Sequence, residues 1–307
     1  MKSQTPDRSF ISLNMQADII AVLRYFQLFS WPLTLREMIR FYPAPVAEEA
    51  MRETLQHLVL AGTVYGCEGY YQLDQKDNQQ IAWRRDCEAR ATRLWPTARR
   101  MARIIGSFPF VRSVLISGSL SKNAMAPTSD IDFFIITHPG RLWIARTLLI
   151  LFKRVFLFNS HRYFCVNYFI DTDHLAIREH NRFTATEMVT LCPLDGLHWY
   201  DALQKANEWA WKMLPNFPPH AVKTASVRPD GLLKRLLEKS LSGSVGEWLD
   251  QQWMQMSLRF WKRKFRDLSD ETFRRVVRCS RHEAKLHPMQ YQKRVLEALK
   301  TDTGWMR

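Results

Sequence analysis

Two aspartates separated by one residue, Asp130 and Asp132, open an apolar stretch near the middle of the chain. In an extended strand, residues two apart point to the same face, so we expect the two carboxylates to project side by side. Adjacent carboxylates repel each other unless a cation lies between them. Mg²⁺ suits such a pair, because it combines a few carboxylates with phosphate oxygens and water. The pair therefore predicts a metal site for Mg²⁺ (or Mn²⁺) and chemistry on a phosphate group.

A glycine–serine pair, Gly118-Ser119, ends the preceding apolar strand, and ten residues separate it from Asp130. Glycine would let the backbone approach a phosphate chain. Ser119 would lie at a helix N-terminus, where free N–H groups and the helix dipole favour anions. Nearby polar residues that could also bind a nucleotide or hydrogen-bond locally are Ser121, Lys122 and Ser129. For Lys122, a solvated position on the helix is an equally good explanation.

The run from Ser113 to Thr137, SVLISGSLSKNAMAPTSDIDFFIIT, combines these features. It resembles the signature of the DNA polymerase β-like nucleotidyltransferase superfamily, which has a Gly-Ser at a strand-to-helix turn and D-x-D on the next strand. The resemblance implies an α/β nucleotidyltransferase core, a small mixed sheet with helices, over about residues 82–180. It also implies that an acceptor hydroxyl attacks the α-phosphorus of an NTP and releases pyrophosphate. A surface turn with capping aspartates is the structural alternative.

Members of this superfamily usually carry a third carboxylate on a later strand. The matching strand, at about residues 163–170, has Asn167 at that position. An amide oxygen ligates a cation weakly and cannot act as a base at neutral pH. Asp171 could substitute from the strand end, because residues 167, 169 and 171 alternate onto one face. Either Asp171 completes the catalytic set, or the chain binds nucleotide with impaired or different chemistry.

Two further patterns have structural explanations. Glu187 follows Thr184 by three residues and would complete a capping box at a helix N-terminus. His282 and His287 resemble a zinc-binding helical pair but have one residue too many between them. On a helix they would lie about 140° apart, too far around the axis to share one zinc.

Residues 15–75 predict a compact unit of three helices followed by a hairpin, and this order resembles a winged-helix domain. Ala17–Phe29 has apolar residues at helical spacing, and Thr34 with Glu37 predicts a capping box at the second helix. The segment carries four basic residues against seven acidic ones. DNA phosphates would require the opposite balance, so a protein partner or a role in substrate positioning is favoured over operator binding.

The chain of 307 residues has a formal net charge of +14. Its excess positive charge lies in residues 81–112, with eight arginines, and in residues 231–307, with 17 basic against nine acidic residues. We therefore expect a basic helical domain over residues 181–307 and an RNA acceptor such as tRNA, with protein and small-molecule acceptors left open.

The five cysteines are scattered without a CxxC pair, which disfavours a zinc ribbon or a disulfide framework. The most apolar stretch, residues 142–158, is too short and too charged to span a bilayer, and the first residues carry no apolar leader. These features favour a cytoplasmic protein with no membrane partner.

The sequence thus leads to a main hypothesis and two rivals. The main one is a Mg²⁺-dependent nucleotidyltransferase with an NTP substrate. The first rival is a non-catalytic nucleotide-binding regulatory protein whose winged-helix domain contacts DNA or a protein partner. The second is a toxin or defence transferase that is paired with an antidote protein.

Overall fold

The computed structural model describes residues 8–73, 78–218 and 231–286, together with Val295 and Glu297. Apart from those last two residues, the helix expected at about residues 288–300 lies outside these ranges. The described chain is a mixed α/β structure with one sheet of three strands and one of six.

The N-terminal unit contains three helices and the smaller sheet. Its elements in chain order are α1 (Arg8–Gln27), β1 (Leu33–Thr34), α2 (Leu35–Arg40), α3 (Glu48–Leu60), β2 (Tyr65–Cys67) and β3 (Tyr70–Gln72). The three helices and the hairpin match the expectation from the sequence, whereas β1, which pairs with β3, was not expected. The capping box is confirmed: the hydroxyl of Thr34 accepts from the backbone N–H of Glu37, whose carboxylate accepts from the backbone N–H of Thr34 at 2.9 Å.

The remaining chain builds the six-stranded sheet and its covering helices. Its elements are α4 (Asn78–Gly106), β4 (Val111–Ser117), α5 (Gly118–Ser121), β5 (Asp132–Thr137), α6 (Leu142–Phe156), β6 (Cys165–Asp171), α7 (Arg182–Val189), β7 (Cys192–Asp195), α8 (Leu197–Ala206), α9 (Glu208–Met213), α10 (Leu232–Ser240), α11 (Ser244–Lys264), α12 (Asp270–Val276), β8 (Val277–Cys279) and β9 (Glu283–Leu286). The strand order is β7-β4-β5-β6-β9-β8, and only β5 and β6 are parallel neighbours among these described strands.

The expectation of a purely helical region beyond residue 181 is wrong for three segments. β7 adds to the edge beside β4, β9 pairs with β6, and β8 pairs with β9. These strands are only three or four residues long, and a segment such as Cys-Pro-Leu-Asp in β7 has no alternating apolar pattern. Their conformation is set by pairing with a neighbouring strand, which local sequence does not reveal. The large sheet therefore continues past residue 180.

Side chains alternate between two apolar cores on the two faces of the large sheet. On β5, Phe133 and Ile135 contribute to the core that includes residues of α4, α6 and α11. Phe134 and Ile136 contribute to the core that includes α7, α8, α9 and the N-terminal unit. By the same alternation, Asp132 belongs to the face of Phe134 and Ile136, at the point where β5 begins.

The apolar stretch of residues 142–158 forms α6, whose 15 residues bury Leu142, Trp143 and Leu149 against the sheet. Lys153, near its end, is also buried. Across the described residues, no helix combines the length and the apolar character needed to cross a membrane.

Arg84 on α4 joins the N-terminal unit to the rest of the chain. Its side chain is 2% exposed and donates to both carboxylate oxygens of Glu37, at 2.8 and 2.7 Å, and to Glu88 at 2.8 Å. The guanidinium also lies 4.7 Å from the ring centroids of Trp31 and Tyr70. A buried charge with this many partners stabilises only the arrangement that satisfies all of them.

Replacing Arg84 should therefore destabilise the whole fold. We expect Arg84→Ala to lower the free energy of unfolding by about 3 kcal/mol, because Glu37 loses its partner in a partly buried position. Urea denaturation followed by circular dichroism measures this change. The neighbouring Arg85 is exposed and pairs with exposed Glu68, so Arg85→Ala should have little effect. Equal losses in the two variants would contradict the role given to Arg84.

Candidate active site

Asp130 and Asp132 lie where β5 begins, on either side of the fully buried Ile131. The backbone of Ile131 donates to the carbonyl of Arg162 at 2.9 Å and accepts from the N–H of Cys165 at 3.1 Å. These two bonds hold residues 130–132 against the chain that enters β6. The side chain of Ile131 lies in the core, and the charge of Asp130 contributes to the raised pKa of Asp132. The side-by-side arrangement of the two carboxylates stays a prediction.

The turn at Gly118 packs directly on the carboxylate of Asp132. Ser117, at the end of β4, is paired with Asp132, so the chain turns away immediately in front of this side chain. Gly118 has a φ of +62°, and a Cβ atom there would lie 2.5 Å from Oδ2 of Asp132. Both the backbone conformation and the contact thus require glycine. The Gly-Ser turn and the aspartate pair form one packed unit, although ten residues separate them in the chain.

Asp132 is mostly withdrawn from water and surrounded by polar groups. Burial, together with the negative charges of Asp130 and Glu187, raises its pKa to about 6, although a hydrogen bond with Cys165 and the charge of Lys122 act in the opposite direction. Burial makes the ionised form of this carboxylate less stable than it would be in water. A bound cation would relieve that cost.

Asn167 lies beside Asp132, and its side-chain amide donates to Oδ1 of Asp132 at 3.0 Å. Phe133 pairs with Val166 and Phe134 pairs with Tyr168, so Asn167 is the extra residue of a β-bulge in β6. A bulge re-aims a side chain and interrupts the alternation of faces along the strand. Asn167 and Asp171 therefore do not project from the same face of β6, contrary to the prediction from the sequence.

The structure does not bring Asp171 to this site. Asp171 is paired with Thr137 at the opposite end of β5, whereas Asp132 is paired with Cys165. The six residue steps from Cys165 to Asp171 correspond to about 20 Å along the strand. A side chain that far away cannot complete a metal shell with Asp132.

Glu187 supplies a carboxylate beside Lys122, whereas the sequence predicts that it caps a helix. Its carboxylate pairs with Nζ of Lys122 at 2.9 Å, and its side chain is 32% exposed. The expected capping box is not formed, because α7 begins earlier and Asn181 caps it by accepting from the N–H of Thr184 at 3.0 Å. Glu187 is thus free to face the Gly118 turn. Its position depends on the packing of α7 beside the sheet, for which the sequence carries no local signal.

The residues expected to bind a nucleotide line the turn after β4. The hydroxyl of Ser121 and Nζ of Lys122 both donate to the carbonyl of Gly118, at 2.9 and 3.0 Å. α5 spans only four residues, so the dipole expected at Ser119 is that of a single turn. Ser129 forms a local turn, as expected, in which its N–H donates to the carbonyl of Ala126 at 3.0 Å. Lys122 would have to leave Gly118 and Glu187 to reach a phosphate.

Two basic groups on the other side of Asp130 were also missed. Nζ of Lys153 lies 3.2 Å from Nδ1 of His161. Burial lowers the pKa of both groups, and the negative charge of Asp130 acts against this shift in each. The only sign of them in the sequence is Lys153 itself, next to Arg154 near the end of a mostly apolar helix.

Together these side chains form an oxygen-rich site. Asp130, Asp132 and Glu187 bring three carboxylates to one end of the sheet, Asn167 adds an amide, and Lys122 balances part of the negative charge. Carboxylate and amide oxygens are the ligands preferred by Mg²⁺ and Mn²⁺. The ligand types suit the cation that the sequence predicts, although Asp130, Asp132 and Glu187 are not among the described groups of three whose ligand atoms all lie within 4.8 Å of one another.

The contact between Gly118 and Asp132 can be tested against a matched glycine. Gly140 also has a positive φ, +66°, but a Cβ atom there would meet nothing within 4 Å. Gly118→Ala and Gly140→Ala should each cost about 1 kcal/mol of stability through backbone strain. Only Gly118→Ala should weaken Mn²⁺ binding, measured by isothermal titration calorimetry, because its methyl group displaces the carboxylate. Unchanged affinity in Gly118→Ala would show that this contact does not shape a cation site.

The raised pKa of Asp132 predicts how stability depends on pH in the presence of a chelator. The folded state holds the proton up to about pH 6, whereas the unfolded chain releases it near pH 4. The free energy of unfolding should therefore fall by about 2 kcal/mol as the pH rises between these values. In Asp132→Asn the total fall should be smaller by this amount, the rest coming from Asp250, whose pKa burial also raises to about 6, whereas Asp173→Asn, at an exposed position, should retain the full fall. Denaturation curves from pH 4 to 7 measure the effect, and parallel pH profiles for all three proteins would refute it.

Comparisons with known proteins add nothing to these observations. No family model, no curated protein and no solved structure matches this chain.

Proposed function

We propose that this protein is a nucleotidyltransferase that moves an NMP group from an NTP to an acceptor hydroxyl with the help of Mg²⁺. The observation that carries the proposal is the packing of the Gly118 turn on Asp132, with Asp130 and Glu187 close by. A turn that lets the backbone approach closely and a group of carboxylates that needs a cation are the two parts that a metal–triphosphate complex requires. The Gly-Ser and D-x-D signature, similar to that of the DNA polymerase β-like superfamily, supports the same reaction.

In this proposal each polar residue has a distinct task. Asp130 and Asp132 hold the cation, which neutralises charge on the phosphates when it is bound. Asn167 orients Asp132 through its amide hydrogen bond. Gly118 and Ser119 place their backbone against the triphosphate, and the acceptor oxygen forms a bond to the α-phosphorus as the bond to pyrophosphate breaks.

Glu187 takes the place of the third carboxylate. Asn167 cannot accept the proton of the acceptor hydroxyl, so a carboxylate must do so. Glu187 is partly exposed and close enough to Asp132 to raise its pKa. We assign the proton to Glu187 after its ion pair with Lys122 opens, which frees Lys122 to bind the leaving pyrophosphate.

The acceptor proposed is RNA, with tRNA as the favoured example. The basic residues of α4 and of the region beyond residue 231 provide a surface for a polyanion.

The order of helices and strands in the N-terminal unit, with its third strand β1, supports the winged-helix proposal for residues 15–75. The excess of acidic over basic residues in this unit favours a protein partner. The proposed nucleotidyltransferase core of residues 82–180 shares its sheet with strands from residues 192–286, so the later region is proposed as a basic extension of that core.

The alternative function is that of a non-catalytic nucleotide-binding regulator. The observation in its favour is the bond from Asn167 to Asp132, because an amide occupies the position where the superfamily usually has a carboxylate. Under this alternative, Glu187 serves only to hold Lys122.

Transfer of label from each α-³²P-NTP to total RNA, and separately to protein, tests the proposal. With Mg²⁺ or Mn²⁺ we expect label in RNA, and a loss of roughly 10²-fold or more in Asp130→Asn, Asp132→Asn and Glu187→Gln. The matched control is Glu208→Gln, at an exposed position on α9, which should retain activity.

The outcomes separate the assignments. If Glu187→Gln is fully active while Asp132→Asn is not, Glu187 is not the third carboxylate. If no nucleotide labels either acceptor, yet NTP binding with Mn²⁺ depends on Asp130, two functions stay open: transfer to a small-molecule acceptor and the regulator alternative.

A further inference from the structure

A second cluster of chemically versatile side chains lies at the other end of β6. The carboxylate of Asp171 is fully buried. Its Oδ1 is 2.8 Å from Nδ1 of His174, and its Oδ2 is 2.7 Å from Nδ1 of His282. The two imidazole rings stack with their centroids 3.6 Å apart and their planes at 26°. The proposed reaction uses none of these three residues.

We propose that Asp171, His174 and His282 bind a divalent transition-metal ion, with Zn²⁺ as the ion that fits best. One carboxylate and two imidazoles are ligands that Zn²⁺ accepts, and the mixture of nitrogen and oxygen distinguishes this site from one suited to Mg²⁺. The three ligand atoms all lie within 4.8 Å of one another.

The distances are close to those that a metal would impose. Ligand atoms about 2.0–2.1 Å from a tetrahedral Zn²⁺ are about 3.3 Å apart. The distances of 2.8 Å from Oδ1 to His174 and 2.7 Å from Oδ2 to His282 involve the two oxygens of one carboxylate, so an ion held by both imidazoles would lie across that carboxylate, with each distance opening by about half an ångström. Zn²⁺ would take the Nδ1 lone pair of each imidazole, and the ring proton that faces Asp171 would then lie on Nε2.

The backbone around the cluster holds the ligands in place. The N–H of Asp171 donates to the carbonyl of His282 at 3.2 Å, and the N–H of His174 donates to the carbonyl of Asp171 at 3.2 Å. The N–H of Asp173 donates to Oδ1 of Asp171 at 3.1 Å, which fixes the carboxylate. Such support around a ligand is what metal sites require in addition to the ligands themselves.

Solvent access favours a bound ion over a purely structural network. The side chains of His174 and His282 are 48% and 44% exposed, while Asp171 is 0% exposed. An ion can thus arrive from the side of the imidazoles. Three protein ligands leave a fourth position for water or an external ligand, as in zinc sites that carry out chemistry.

The site does not depend on the proposed nucleotidyltransferase function. It lies about 20 Å along β6 from the residue paired with Asp132. His282 is 111 residues from Asp171 in the chain, and the pairing of β9 with β6 brings them together. A bound ion would therefore link β6 to the segment that carries β9.

Calorimetric titration of the full, chelator-stripped chain with Zn²⁺ tests the proposal. The Asp130→Asn/Asp132→Asn background removes the other carboxylate pair. In that background we expect one equivalent of Zn²⁺ to bind. His174→Ala and His282→Ala should each weaken it by roughly 100-fold, since even the loss of an outer hydrogen-bond partner costs about 10–100-fold. His57→Ala, at an exposed position on α3, is the matched control and should bind normally.

A second measurement excludes other ligands and misfolding. Co²⁺ in place of Zn²⁺ should give the visible absorption of a tetrahedral nitrogen–oxygen site without a thiolate charge-transfer band, and far-ultraviolet circular dichroism should be unchanged in both histidine variants. Zn²⁺ should raise the Tm of the wild type and not that of His174→Ala. Binding that survives in both histidine variants, a thiolate band, or no binding by the wild type would each overturn the proposal. The cluster would then be a buried carboxylate neutralised by two imidazoles.

Discussion

The arrangement at the end of the large sheet depends on one constraint, the removal of the Asp132 carboxylate from water between two strands. Its position requires a residue without a side chain at position 118, because the turn after β4 passes directly over Oδ2. It also requires donors, which Cys165 and the bulged Asn167 provide from β6. The burial that raises its pKa is the same property that creates affinity for a cation. The burial of this one carboxylate therefore accounts both for the glycine and the donors around it and for the proposed binding of a cation.

The part of the fold that sequence reasoning could predict is the part encoded locally. The Gly-Ser turn and the aspartate pair belong to one continuous run, and their strands are apolar enough to be recognised without a partner. The capping box of Thr34 and Glu37 and the helix α6 are local in the same sense. For such elements, spacing alone determines which side chains share a face.

The parts that were missed depend on pairing between distant segments. The bulge at Asn167 arises from the register between β5 and β6, and it separates Asp171 from the site that simple alternation assigned to it. Glu187 reaches Lys122 only because α7 packs beside the sheet. His282 looked like half of a failed helical zinc pair, whereas it precedes a strand and faces a carboxylate 111 residues away. None of these contacts can be predicted from a short segment of the sequence.

The strand order also has a consequence for how the chain folds. The outer edge of β6 is covered by β9, which comes from residues 283–286, so more than a hundred residues must be synthesised after β6 before its hydrogen-bonding groups find their partner. An unpaired edge strand is a template for pairing with another chain. During synthesis this protein therefore passes through a stage in which β5 and β6 can already pair while one edge stays open to aggregation. That exposure ends when the hairpin of β8 and β9 forms and β9 pairs with β6.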